Sequence, residues 1–125
     1  MKRFLLAALA ALMLATPLAG CASRAAETPA QRVFAIQTEY NGALAVALAY
    51  ESQPRCSETQ PQPCSDPAAV NEIRKADNDA WAALLAAQEY VRAGGHEGGA
   101  LAAALAAARS ALGVLTAVLA NHGLL

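Results

Sequence analysis

Residues 101–122 read LAAALAAARSALGVLTAVLANH, and this stretch decides the fold because it is apolar on nearly every side of a helix. Seven of its residues are spaced alternately four and three apart, which is the spacing of a coiled-coil seam: Leu101, Leu105, Ala108, Leu112, Leu115, Leu119 and His122. The opposite side is alanine with Val114 and Val118, and Arg109 is the only Lys, Arg, Asp or Glu after Glu97. A helix of this kind is usually buried or crosses a membrane. We therefore predict a helix over 99–121 that needs cover on more than one side.

The alanine side of this helix has two interpretations. By length it could cross a bilayer. Crossing would place Arg109 near the bilayer centre at a cost of about 2.5–3.5 kcal/mol, and alanine offsets little of that. We expect instead that the leucine seam packs in a bundle and that the other side meets a partner protein or another copy. The predicted partner face comprises Ala104, Ala111, Val114 and Val118.

An earlier helix has a clear start. Thr28-Pro29-Ala30-Gln31 has the form of a capping box with proline at the first helical position. One apolar stripe follows at helical spacing: Val33, Ile36, Tyr40, Ala43, Ala47 and Tyr50. Because Pro54 cannot continue a helix, we predict helix over 29–52.

The middle helix begins in the same way. Asp66-Pro67 supplies an N-cap and a first-turn proline, and Gly94 suits a C-terminal cap, which predicts helix over 67–93. Its stripe is Val70, Ile73, Ala76, Ala80, Leu84, Ala87 and Val91. The carboxylates of Glu72, Asp77 and Asp79 are interpreted as a solvated face, because positions two apart on a helix do not face each other.

Three striped helices and no strand pattern predict an all-α fold, an antiparallel three-helix up-down-up bundle over residues 28–125. We expect much of the core volume to come from large side chains on all three helices: Phe34, Ile36, Tyr40, Trp81, Leu84, Leu105, Leu112 and Leu115.

Between the first two helices lies PRCSETQPQPCSDP, residues 54–67, with Cys56 and Cys64. An even cysteine pair in an exported chain predicts a disulfide. Zinc is the alternative, but zinc sites favour closer cysteines with two further ligands, and no histidine lies near these two in the sequence.

The N-terminus has the layout of an export signal. Lys2 and Arg3 precede the apolar run FLLAALAALMLA, and LAGC follows at 18–21. This stretch resembles the lipobox of bacterial lipoproteins. The resemblance implies removal of residues 1–20, a diacylglyceryl group and an N-acyl chain such as palmitate on Cys21, and a lipidated tether over 21–27. Ala22 after the cysteine implies the outer membrane, on its periplasmic face; an ordinary secretory signal and an uncleaved anchor are the alternatives.

Charge and length restrict the function of the mature part. Removal of residues 1–20 leaves 105 residues, with seven basic and ten acidic side chains, which is one small domain of net charge about −3. Without a basic cluster, nucleic acid is not expected as a partner. His96 and Glu97 could ligate a metal together with His122, but a glycine-rich loop and a chain end make a poor site, so we predict no metal. We also predict no cofactor other than the lipid on Cys21.

The mature part resembles the small helical lipoproteins of Gram-negative bacteria. Since no nucleophile, base and orienting group converge in the sequence, we predict a non-enzymatic, membrane-anchored interaction or structural module. One alternative is a periplasmic lipoprotein that binds a small ligand in a pocket among four aromatic residues: Tyr40, Tyr50, Trp81 and Tyr90. Another is a phage-type lipoprotein that acts on the outer membrane during lysis.

Replacing Cys21 with serine is expected to abolish lipid attachment, because the thiol is the acyl acceptor in the lipobox that LAGC resembles. Intact mass spectrometry of protein extracted from the envelope measures this directly. A Cys56→Ser/Cys64→Ser double variant is the control and should keep the lipid mass. An unmodified N-terminus in the wild type would contradict the prediction.

Overall fold

The computed structural model describes residues 28–59, 63–95 and 98–125. Three helices lie in these ranges, α1 at Pro29–Glu51, α2 at Pro67–Arg92 and α3 at Gly99–Asn121, and the described residues contain no β-strand. They pack against one another as a three-helix bundle, which confirms the predicted fold. The signal peptide, Cys21 and the tether, together with His96 and Glu97, lie outside the described residues.

The start of α1 is fixed by its capping box. The Thr28 hydroxyl accepts a hydrogen bond from the backbone N–H of Gln31 at 3.3 Å, and the Gln31 side chain accepts one from the N–H of Thr28 at 2.7 Å. Both bonds satisfy N–H groups that have no partner inside the helix. The helix ends at Glu51, one residue before the predicted end.

Side-chain and glycine caps also set the limits of α2. The Asp66 carboxylate accepts from the backbone N–H groups of Ala68 and Ala69, at 2.8 and 3.0 Å. At the other end Gly94 has φ 85°, and the N–H of Gly95 donates to the carbonyl of Tyr90 at 3.0 Å. This is a Schellman cap, which favours glycine at the left-handed position. The helix therefore ends at Arg92, one residue earlier than predicted.

The core consists mainly of the predicted stripes. In α1 every predicted stripe residue except Tyr50 is buried, and in α3 all six apolar seam residues are at most 5 % exposed. The buried part of α2 is shifted slightly, with Ala69 buried and Val70 half-buried. Six of the eleven buried residues of α1 and α2 are alanine. The leucines of α3 therefore supply much of the core volume: Leu101, Leu105, Leu112, Leu115 and Leu119.

Two of the predicted core residues lie on the surface. Phe34 is 69 % exposed and Trp81 is 42 % exposed. Each directly follows a buried residue, Val33 and Ala80 respectively, and successive residues on a helix are about 100° apart. Their side chains therefore fall outside the arcs of α1 and α2 that face the other helices.

The predicted disulfide between Cys56 and Cys64 is confirmed, with the two Cα atoms 4.9 Å apart. Beside it, the N–H of Cys56 donates to the carbonyl of Ser65 at 3.0 Å, and the buried Ser65 hydroxyl donates to the carbonyl of Gln53 at 3.0 Å. Closing a loop of this size removes about 2–3 kcal/mol of unfolded-state entropy in the simple chain model. The loop therefore holds the end of α1 next to the start of α2.

Truncation of Leu115 to alanine is expected to lower the free energy of unfolding by about 2–5 kcal/mol, because its side chain is fully buried. Its neighbour Val114 is 54 % exposed, so Val114→Ala is a matched control with an expected change of no more than about 0.5 kcal/mol. Urea unfolding followed by circular dichroism gives both values. Equal losses in the two variants would show that α3 is rotated from the orientation described.

Candidate functional site

The most apolar of the three helices is α3. By length and composition, Gly99–Asn121 is the one helix among the described residues that could cross a membrane, yet only 33 % of its most apolar window is buried. Its exposed small residues cover about 140° of the circumference, at about 100° per residue. We call them the outer face of α3: Ala102, Ala103, Ala106, Ala107, Ser110, Gly113, Val114, Ala117 and Ala120.

This outer face does not coincide with the partner face predicted from the sequence. Val118 is only 8 % exposed and belongs to the core, while Ala104 and Ala111 are half-buried against it. Of the four predicted residues, Val114 alone lies on the outer face. The reason is that α1 lies on the side of α3 that carries Arg109 and Thr116. The other side of the leucine seam, with Ala104, Ala111 and Val118, is therefore left for α2, against which α3 packs most extensively.

An open groove of about 510 Å³ runs between α1 and α3, beside the outer face. Glu39 and Gly42 of α1 and Arg109, Gly113 and Thr116 of α3 are among the residues that line it. Arg109 therefore lies at one edge of the outer face, on the side of Glu39, and leaves the middle of that face uncharged. The sequence pattern predicted Arg109 on α3. It did not predict that Glu39 of α1 would line the same groove.

A second surface lies where α1 meets α2, on the side of the bundle away from α3. The Tyr40 and Trp81 rings stack there with centroids 5.7 Å apart and an interplanar angle of 29°. The Tyr40 hydroxyl donates to Oδ1 of Asp77 at 2.7 Å. Burial of Tyr40 raises the pKa of its hydroxyl well above its ordinary value, and the hydrogen bond and charge of Asp77 raise it further.

The other two aromatic residues of the predicted pocket lie elsewhere. The Tyr50 hydroxyl accepts from the backbone N–H of Asp66 at 2.8 Å, where α2 begins, whereas the Tyr90 ring lies against Gly95 at the opposite end of α2. Along their helices Tyr50 is about 15 Å from Tyr40, and Tyr90 about 13 Å from Trp81. The four residues therefore do not line one pocket. Residues on the same side of a helix can still lie several turns apart along its axis.

Tyr40 and Trp81 nevertheless line a shallow groove of about 350 Å³ between α1 and α2. We call it the Trp81 groove; its residues are Gln37, Tyr40, Asn41, Leu44, Asp77, Asn78 and Trp81. The amide side chains were not identified from the sequence. The only available signal was that Gln37, Asn41 and Leu44 follow one another at helical spacing beside the buried stripe of α1.

Two polar side-chain pairs join neighbouring helices, an Arg74–Glu51 ion pair and a His122–Glu72 contact. The Arg74 guanidinium donates twice to Oε2 of Glu51, at 2.9 and 3.0 Å, and so joins α2 to α1. Nε2 of His122 lies 3.0 Å from Oε2 of Glu72, which joins the end of α3 to the start of α2. Within the described ranges no three His, Cys, Asp or Glu side chains are arranged to hold a metal ion.

Comparison of the chain with protein-family models, with curated protein sequences and with solved structures finds no match. Its function therefore has to be inferred from its own residues and their geometry.

The contribution of the Tyr40 hydroxyl to stability is expected to decrease in alkaline solution. A pKa raised by folding means that the folded protein keeps a proton that the unfolded chain loses above about pH 10, so stability falls as pH rises beyond that value. Tyr40→Phe has no hydroxyl to titrate. The difference in free energy of unfolding between wild type and Tyr40→Phe should shrink between about pH 8 and about pH 11. Parallel curves from urea titrations across this range would contradict the assignment.

Proposed function

We propose that the protein is a lipid-anchored, non-catalytic interaction module of the cell envelope, and that the outer face of α3 binds an apolar helix of a membrane-proximal partner protein. One observation carries the proposal. Only 33 % of the most apolar 18-residue stretch of α3 is buried, so about two thirds of that stretch lies outside the core.

The chemistry of the outer face suits a helix better than a polar surface. Its side chains are alanine, serine, glycine and valine, which let a second helix axis approach closely and make many van der Waals contacts. A contiguous apolar surface of this kind on a small protein marks an interaction site. Since Arg109 lies at the edge, it would be at the rim of such an interface, where a charge remains hydrated.

The lipobox resemblance supplies the expected location of this interface. The tether over residues 22–27 spans at most about 20 Å, so a lipid on Cys21 would hold the bundle near the bilayer surface. Several acyl chains on one residue give firm attachment. A partner helix that emerges from, or lies beside, the same membrane would then be within reach. By the same resemblance, Ala22 favours the periplasmic face of the outer membrane.

Insertion of α3 into the bilayer is less well supported. It would separate the leucine seam from the buried alanines of α1 and α2, and it would still place Arg109 in the hydrocarbon. Binding of a small ligand is favoured by a different observation, the Trp81 groove, and is compatible with a partner on α3 because the two surfaces lie on different sides of the bundle.

A photo-cross-linking amino acid at Ala106, in the middle of the outer face, is expected to give one discrete protein adduct in intact envelopes. Adding Ser110→Glu, one turn away, should abolish that adduct, because an ionised carboxylate would be buried in an apolar interface. Mass spectrometry identifies the attached chain and distinguishes a partner protein from a second copy.

The matched control is Ala45→Glu, since Ala45 is exposed on the side of α1 that faces away from the bundle. This variant should leave the adduct unchanged, and both variants should keep the wild-type melting temperature. An adduct that persists in Ser110→Glu, or cross-links to lipid alone, would contradict the proposal.

A further inference from the structure

The Trp81 groove contains an exposed aromatic ring bordered by hydrogen-bonding side chains. We infer that this groove binds a neutral oligosaccharide, with one sugar ring stacked on the indole of Trp81. This function is additional to the proposed partner interface, because the groove lies between α1 and α2 whereas the outer face belongs to α3.

Trp81 provides a flat and well-fixed platform. Tyr40 stacks against one side of its indole, and 42 % of Trp81 remains exposed to solvent. The proposed sugar would stack on the face opposite Tyr40. Tyr40 itself is 5 % exposed and is held by its hydrogen bond to Asp77. The supporting ring cannot rotate away without breaking that bond, so the platform is in place before a ligand arrives.

The side chains at the border of the groove can form hydrogen bonds with the hydroxyl groups of a sugar. Gln37, Asn41 and Asn78 each carry an amide that both donates and accepts hydrogen bonds, as a hydroxyl does. Asp77 uses Oδ1 for Tyr40, and its carboxylate has further acceptor sites. Among the described residues that line the groove there is no lysine or arginine, so it lacks the donors that a phosphate or carboxylate ligand would need.

An organic ammonium ion is the main competing ligand, since Trp81 and Asp77 could attract a cation. Cages for such ions, however, direct several aromatic faces at one point. Here Tyr40 and Trp81 face each other, which leaves one free aromatic face and a flat, open surface. That shape suits the flat face of a sugar ring better than a compact cation.

A second groove extends the site along the same seam. It has a volume of about 300 Å³ and is lined by the exposed Phe34 together with Gln88 and Arg92. The absence of a cation therefore holds for the Trp81 groove alone, and in this second groove the Arg92 guanidinium would donate to sugar hydroxyls. Gln37 lines both grooves, and its side-chain oxygen accepts from the Gln88 amide at 3.2 Å. The seam therefore presents two exposed aromatic rings, Trp81 and Phe34, with amides between them. This arrangement fits a chain of linked sugars rather than a single one.

Trp81 is the only tryptophan of the chain, so its fluorescence reports ligand stacking directly. We would titrate the purified protein with tri-N-acetylchitotriose, an uncharged trisaccharide whose acetamido groups can pair with amide side chains. The expected result is a saturable change in Trp81 emission. Asn78→Ala should weaken the affinity about tenfold, the effect of losing roughly one hydrogen bond. Asn71→Ala, which removes an exposed asparagine of α2 outside the Trp81 groove, should have no effect.

Both asparagine variants are at exposed positions, so they should fold normally, and thermal melting verifies this. Calorimetry on Trp81→Ala provides a second readout and should show no binding. The inference is overturned if the trisaccharide causes no saturable change, or if Asn71→Ala weakens binding as much as Asn78→Ala. A saturable response to choline chloride without one to the trisaccharide would overturn it in favour of the ammonium ligand. None of these outcomes depends on whether α3 has a partner.

Discussion

The structure depends on one constraint: α3 is apolar around nearly its whole circumference, and a bundle of three helices gives each helix only two neighbours. The leucine seam is covered by α1 and α2, and the alanines on those helices let the three axes approach one another. The outer face of α3 is not covered by another helix of the described residues. The same property that gives the bundle its core therefore leaves an apolar surface outside it.

Most links between the helices lie at one end of the bundle. The two candidate surfaces lie along its sides, where the Tyr40–Asp77 and Gln37–Gln88 hydrogen bonds also join α1 to α2. The disulfide, the Tyr50–Asp66 hydrogen bond and the Arg74–Glu51 ion pair join α1 to α2 at one end. His122 and Glu72 join α3 to α2 there as well, since the start of α2 and the end of α3 meet. In the ranges described, no disulfide or ion pair joins α3 to α1. An occupant of the outer face and a ligand in the Trp81 groove would not compete for space.

The sequence predicted the helices, their caps and the buried stripes well, because those features depend on local spacing and on backbone hydrogen bonds. The disulfide followed from the even number of cysteines in the mature part and from the export that the N-terminal pattern predicts. The sequence failed where the result depends on how helices are rotated against one another. Trp81 and Phe34 were expected in the core because of their size. The buried positions next to them on the helices are instead occupied by Ala80 and Val33. The partner face was predicted in the wrong place for the same reason, since Val118 is buried in the core. A helical wheel shows which side of a helix is apolar. It does not show which part of that side a neighbouring helix covers.

The central claim is that the outer face of α3 is covered in the native envelope and open in the isolated protein. Reactivity of a single introduced cysteine with a maleimide tests this most directly, using Ala106→Cys on the outer face and Ala45→Cys on the far side of α1; both positions are exposed. In the purified protein both thiols should react at similar rates. In intact envelopes we expect Ala45→Cys to react as before and Ala106→Cys to be protected. Equal labelling of the two positions in the envelope would show that nothing covers the outer face, and would contradict the account.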